Sequence, residues 1–203
     1  MNITNRDYFT FNVDNSALII GQTGTGKSEM VHKLIDMYQS AQSPDEVKFV
    51  LFDLKQVEFN DTNKDYLYFD VIYDADIGLG RLDELAELSI KRKDNNITKP
   101  LLFIYIEECD MAAVDQKRFD EAVIVINTNA KKAGMKLVYS TSRPAPDVVS
   151  KELIASFDLI MTSQLASEAD AKHLGVPYRK NTKPYSFLVT PHSDIYNSDG
   201  KNH

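Results

Sequence analysis

The octapeptide Gly21-Gln22-Thr23-Gly24-Thr25-Gly26-Lys27-Ser28 constrains this chain more than any other stretch. It fits G-x-x-x-x-G-K-[ST] in full, and each residue type has its own physical reason. The glycines let the backbone turn through conformations that a side chain forbids, so successive N–H groups point inward at phosphate oxygens. Lys27 supplies a mobile point charge for a polyphosphate, and the Ser28 hydroxyl suits the Mg²⁺ that accompanies one. Glu29 completes the binding stretch. Ala17-Leu18-Ile19-Ile20 before it is a short apolar run that reads as a buried strand. Behind it, Met30, Val31, Leu34, Ile35 and Tyr38 recur at helical spacing. Strand, glycine loop and helix N-terminus together aim a helix dipole at a polyphosphate.

The rest of the chain alternates between the two periodicities. Strands are predicted at 47–52, 69–73, 101–106, 136–140, 159–162 and 185–190, with an edge strand around Tyr8, Phe9, Phe11 and Val13. Helices are predicted at 27–42, 79–90, 115–133 and 151–155. Ser167 and Asp170 open another as a capping box, and Gly175 and Pro177 end it. This alternation implies an α/β fold, a mainly parallel central sheet with helices on both faces. We expect one domain over 1–190 and a polar, disordered tail over 191–203.

Composition removes several classes of function. No stretch approaches the roughly 18 apolar residues of a membrane span, and Met1 to Asp7 has no apolar core of a signal peptide. A single cysteine, Cys109, cannot form an intrachain disulfide, which with the rest points to the cytoplasm. A net charge of −7 argues against a protein that coats nucleic acid by bulk charge, while leaving room for DNA in a local groove. The four histidines lack metal-ligand spacing.

A phosphate loop needs an acidic partner, and Leu101-Leu102-Phe103-Ile104-Tyr105-Ile106 followed by Glu107-Glu108 supplies it. Carboxylates at the tip of a strand buried on both faces are costly unless they serve a metal or a water. Glu107 is the candidate Mg²⁺ ligand with Ser28, and Glu108 the candidate general base that polarises the attacking water. At the tip of the strand 136–140, Ser142 is placed to sense the terminal phosphate, and Arg143 to reach a phosphate or a neighbouring subunit. Asp53, Lys55 and Glu58 either line the site or make a salt-bridged loop. Lys91-Arg92-Lys93, Lys131-Lys132 and Arg179-Lys180 either face DNA or end helices in solvent.

Taken in order, these pieces resemble the motor domain of the FtsK/SpoIIIE DNA translocases, within the FtsK–HerA group. The likeness runs through the glycine loop, Ser43-Pro44-Asp45-Glu46-Val47 to Asp53-Leu54-Lys55-Gln56-Val57-Glu58, the Glu107-Glu108 pair, and Gly134-Met135 to Ser140-Thr141-Ser142-Arg143-Pro144. It implies a RecA-like P-loop fold, ATP and Mg²⁺ at subunit interfaces, a hexameric ring and double-stranded DNA in its pore. Arg92 falls near the family's arginine-rich helix end, making it the candidate for action in trans. Glu107 stands where the family has Asp, and Ser142 where it has Gln. The family's membrane anchor and winged-helix DNA reader have no counterpart in this sequence, so separate partners would supply them. The alternatives are a nucleotide-dependent switch or assembly module, and a secretion- or conjugation-type ATPase. Glu108→Gln is expected to bind ATP with turnover reduced at least ~10²-fold, whereas Lys27→Ala loses binding. Nucleotide titration alongside steady-state hydrolysis checks both, and normal turnover by Glu108→Gln would remove Glu108 as the base.

Overall fold

The computed structural model describes residues 2–3, 16–107, 111–180, 182–183 and 185–191. Within them one sheet holds β1 (Asn2–Ile3), β2 (Ala17–Ile20), β3 (Val47–Asp53), β4 (Leu101–Glu107), β5 (Met135–Thr141), β6 (Leu159–Thr162) and β7 (Phe187–Pro191). The helices are α1 (Lys27–Ala41), α2 (Ala75–Asp94), α3 (Met111–Ala133), α4 (Lys151–Ser156) and α5 (Glu168–Leu174). In space the strands run β1-β7-β6-β2-β5-β4-β3. β6, β2, β5, β4 and β3 are mutually parallel, and β7 and β1 close one side antiparallel. The parallel strands therefore bring their carboxyl ends to a single edge.

Their side chains divide the core in two. Ala17, Ile19, Phe49, Leu51, Phe103 and Tyr105 face Met30, Val31, Leu34, Ile35 and Tyr38 of α1. Leu18, Ile20, Val50, Phe52, Ile104 and Ile106 face the layer that includes α2 and α3. Burial on both faces explains why these strands read as continuous apolar runs instead of alternating ones. Helix ends follow local chemistry. The Asp74 carboxylate accepts the Ile77 N–H at the start of α2 (2.9 Å), and Ser167 with Asp170 makes a reciprocal capping box on α5.

Four predicted elements differ. α2 runs from Ala75 to Asp94, beyond the predicted 79–90. The segment 69–73 forms no strand: it meets β3 at an isolated bridge, Phe52 to Ile72, and a second bridge, Phe49 to Leu67, falls just before it. Ile72 is buried there while Phe69 is half-buried, so the apolar residues anchor the segment without aligning it. The third helix begins earlier than 115, at Met111, with non-helical backbone at Asp115 (φ −152°, ψ 89°). The Asp115 carboxylate accepts the Arg118 N–H (3.0 Å), capping the segment whose periodicity the sequence displays. The last strand starts at Phe187, because Tyr185 adopts a left-handed backbone (φ 59°) in a turn closed by Ser186 N–H to the Lys183 carbonyl (3.2 Å). The edge strand expected at 8–13 and the tail 192–203 lie outside the described residues.

Arg92 is the largest departure from expectation. Its Nε donates to the Ala133 carbonyl (2.7 Å) and its Nη2 to the Pro100 carbonyl (2.6 Å), with only 6% of the residue exposed. Burial pulls its pKa below the usual arginine value. Both carbonyls precede the amino ends of β4 and β5, so Arg92 pins α2 to the edge of the sheet opposite the glycine loop. A side chain buried and bonded in this way cannot act in trans without leaving both acceptors, which corrects the reading of Arg92 as the trans-acting arginine. Arg92→Leu should lower stability by about 2–4 kcal/mol, since hydrogen bonds to a charged donor are worth ~1.5–3 kcal/mol each. Urea unfolding measures this, and an unchanged midpoint would contradict it.

Candidate nucleotide site

The glycine loop leaves β2, whose four residues are at most 1% exposed, and enters α1 directly. Its first two residues are tied to the end of β5 and to the segment just after β6: Gly21 N–H donates to the Thr141 carbonyl (3.3 Å) and Gln22 N–H to the Gln164 carbonyl (2.9 Å). Thr25 closes the turn by donating its hydroxyl to the Gln22 carbonyl (2.8 Å). Gly24 and Gly26 sit at φ 81° and 94°, a region costly for any residue with a Cβ. Lys27 is buried and reaches back across the loop, its ammonium donating to the carbonyls of Gly21 (2.7 Å) and Gln22 (3.4 Å).

At the tip of β4, Glu107 receives the Ser28 hydroxyl on Oε1 at 2.7 Å. The longer side chain of glutamate thus spans the distance from this strand to the start of α1. Glu107 is buried, and its Oε2 has no hydrogen-bond partner among the described residues. Burial pushes its pKa up, the Ser28 hydrogen bond opposes this, and Glu58 and Asp53 add to the rise through like-charge repulsion. One hydrogen bond to a charged group is worth ~1.5–3 kcal/mol, less than the several kcal/mol of burying an ion, so the carboxylate remains under-satisfied. A hydroxyl and a carboxylate with a spare oxygen are the hard donors Mg²⁺ takes, one or two from protein and the remainder from phosphate and water. The described residues contain no cluster of three or more His, Cys, Asp or Glu side chains suited to a metal. Ser28 and Glu107 therefore fit the cation that the loop implies.

The neighbouring strand resolves the alternatives for Asp53, Lys55 and Glu58. Asp53 is paired in register with Glu107 and is fully buried. Its carboxylate accepts the backbone N–H groups of Val57 (3.4 Å), Glu58 (2.8 Å) and Phe59 (3.2 Å), which folds the turn after β3. That turn carries Lys55 and Glu58 to the site. A cavity of about 270 Å³ is lined by Thr23, Gly24, Gly26, Lys27 and Ser28 of the loop, by Glu29, by Lys55 and Glu58, by Glu107 and by Tyr185. Glu58 is also paired with His32, one turn beyond Ser28 on α1, at 3.1 Å.

Other expected residues are placed differently. Ser142 is half-buried just past β5, next to the loop's anchor at Thr141, and does not line the cavity. Arg143 is exposed on the same edge and paired with Asp147 (2.5 Å). Glu108 and Cys109 lie outside the described residues. His32 and Tyr185 carry no motif. Only the position of His32 four residues beyond Ser28 hinted at the site, and nothing local pointed to Tyr185.

Comparison with known proteins agrees with this geometry. Residues 2–94 match the FtsK/SpoIIIE family. The chain is 32% identical to the DNA translocase FtsK of Borreliella burgdorferi, over 76% of this chain and 23% of that protein. The chain is therefore similar to the FtsK/SpoIIIE family over residues 2–94. A second relative, the DNA translocase FtsK of Streptococcus pyogenes serotype M3, is 26% identical over the same shares of the two chains. The chain thus spans about a quarter of the length of these relatives. Among solved structures, the pCW3 conjugation coupling protein TcpA with ATPγS superposes with a TM-score of 0.72 at 15% identity, covering 89% of this chain and 58% of that one. The genome packaging NTPase of Sulfolobus turreted icosahedral virus 2 with AMP gives 0.60 at 19% identity, covering 90% and 95%. These likenesses establish the RecA-like P-loop ATPase fold.

The raised pKa of Glu107 has a signed consequence. Between the ordinary carboxylate pKa and the raised one, the native state keeps a proton that the unfolded chain has lost, so stability falls as pH rises through that window. Asp120, also raised by burial, adds a trend of the same sign that the comparison below cancels. Glu107→Gln is expected to flatten this part of the Tm-versus-pH profile, and to abolish the extra rise in Tm that Mg²⁺ produces with nucleotide. Profiles that coincide with the parent's would show that Glu107 is not the under-satisfied group.

Proposed function

We propose that this chain is an ATP-hydrolysing motor that moves or packages double-stranded DNA, with sites completed between subunits of a ring. The observation that carries the reading is the Ser28–Glu107 pair, with its second carboxylate oxygen lacking a hydrogen-bond partner among the described residues, beside a lysine-spanned phosphate loop. The DNA element is supported by the FtsK relatives, which are named as DNA translocases.

In this reading the chain works by positioning and electrostatics. Loop amides and Lys27 hold the phosphates, while Ser28 and Glu107 hold the cation. Bound there, Mg²⁺ would neutralise charge on the phosphate oxygens. Glu108 accepts the proton of the attacking water, and Asp53 keeps the turn bearing Lys55 and Glu58 against the site. Arg143 is exposed on the nucleotide edge, which suits an arginine offered to a neighbour's site. Among the described residues no helix is long and apolar enough to cross a membrane. A second reading, a conjugation- or secretion-type ATPase, draws on the similarity of fold to the conjugation coupling protein.

The deciding experiment is steady-state ATP hydrolysis across a range of protein concentrations, with and without double-stranded DNA. We expect DNA to raise turnover severalfold, with specific activity climbing as protein concentration increases. Tight ATP binding with negligible turnover under every condition would overturn the motor and leave a nucleotide-dependent switch.

A further inference from the structure

Tyr185 enters the nucleotide site from the far end of the chain, and three observations fix it there. Its backbone N–H donates to the Thr25 carbonyl of the phosphate loop (3.0 Å). Its ring lies against Gly26, where a Cβ would collide with the ring carbons. Its backbone holds φ 59°, a region that bulky residues seldom adopt, within the Lys183–Ser186 turn and two residues before the fully buried Phe187. A strained aromatic residue clamped on a binding loop calls for a reason beyond packing, because the ring is not buried: the residue remains 43% exposed.

The cavity shows what that ring faces. Among the described residues Tyr185 is the one aromatic side chain lining it, alongside Gly26, Lys27, Ser28 and Glu29. At about 270 Å³, the cavity lies just below the ~300–1,000 Å³ usual for small-ligand sites. The loop amides and Lys27 claim the phosphates, and Glu107 claims the cation, so a nucleoside must project beyond the enclosed part. Tyr185 borders both the loop at Gly26 and this cavity. We propose that the Tyr185 ring is the platform on which the base of the bound nucleotide stacks, giving the site its preference for nucleotides over bare polyphosphate. This rests on the nucleotide-binding reading above. Stacking engages the π-face that every base has, so the platform predicts little discrimination between purines.

The chain contains no tryptophan, so Tyr185→Trp introduces a single indole reporter at this position. The experiment titrates the full-length parent, Tyr185→Ala, Tyr185→Phe and Tyr185→Trp with ATP, GTP and inorganic tripolyphosphate, using calorimetry and, for Tyr185→Trp, fluorescence. Tyr185→Ala should weaken ATP and GTP binding about tenfold while leaving tripolyphosphate affinity within about twofold, and Tyr185→Phe should bind as the parent does. ATP should quench the fluorescence of Tyr185→Trp, and tripolyphosphate should not. Unchanged or tighter ATP binding by Tyr185→Ala would overturn the platform, as would an equal loss for tripolyphosphate, which would mean that the ring only shapes the loop. A parent protein that binds neither ATP nor tripolyphosphate would overturn the nucleotide reading itself, a result distinct from the other two.

Discussion

The parallel register of the central strands is the constraint on which the remainder of this structure depends. Asp53 aligns with Glu107, Glu107 with Ser140, and Ile20 with Thr141, so the chain's polar strand tips fall along one edge. The strand bodies are buried on both faces and tolerate little besides apolar side chains. Polar chemistry is thereby pushed to the ends, where strands give way to loops. The glycine loop rises from β2 in the middle of this edge, with β5 and β6 on either side to hold it.

That arrangement concentrates charge that the protein alone does not balance. Glu107 is buried with one oxygen satisfied by Ser28 and the other by no described group, and Asp53 and Glu58 repel it. Asp53 escapes the same difficulty because three backbone N–H groups of the following turn surround it. Two adjacent carboxylates on paired strands thus differ: one builds the backbone that shapes the site, and the other keeps an oxygen with no hydrogen-bond partner among the described residues. Left-handed non-glycine backbone occurs on this edge at Gln56 in the turn after β3 and at Tyr185 before β7, and on the opposite edge at Asn96. A site of this kind is held in place by the sheet beneath it and not by its own contacts.

The opposite edge shows the reverse economy. There Arg92 satisfies two carbonyls that precede β4 and β5, and joins the end of α2 to the sheet. From its basic neighbours, Arg92 reads as a surface residue available to DNA or to another subunit. What removes it from that role is the packing of α2 against α3 and the two acceptors that this packing brings within reach. Lys91, beside it, remains exposed and paired with Glu87 one turn back.

Much of the fold and half of the site were legible because they depend on near neighbours. The apolar runs of β2 and β4, the helical spacing of α1, the capping box at Ser167 and the glycine loop are set by residues within about one helical turn or one strand of each other. The sequence by itself determined that a glycine loop stands between a buried strand and a helix, and that Glu107 ends another buried strand. Tertiary structure alone decided which charged residues meet. Ser28 and Glu107 are 79 residues apart and Arg92 and Ala133 are 41 apart. Tyr185 reaches Thr25 only because β7 returns antiparallel along β6. Contacts across such separations leave no period or spacing in the chain, since they are fixed by strand order and register and by the burial that makes one pairing cheaper than its rivals.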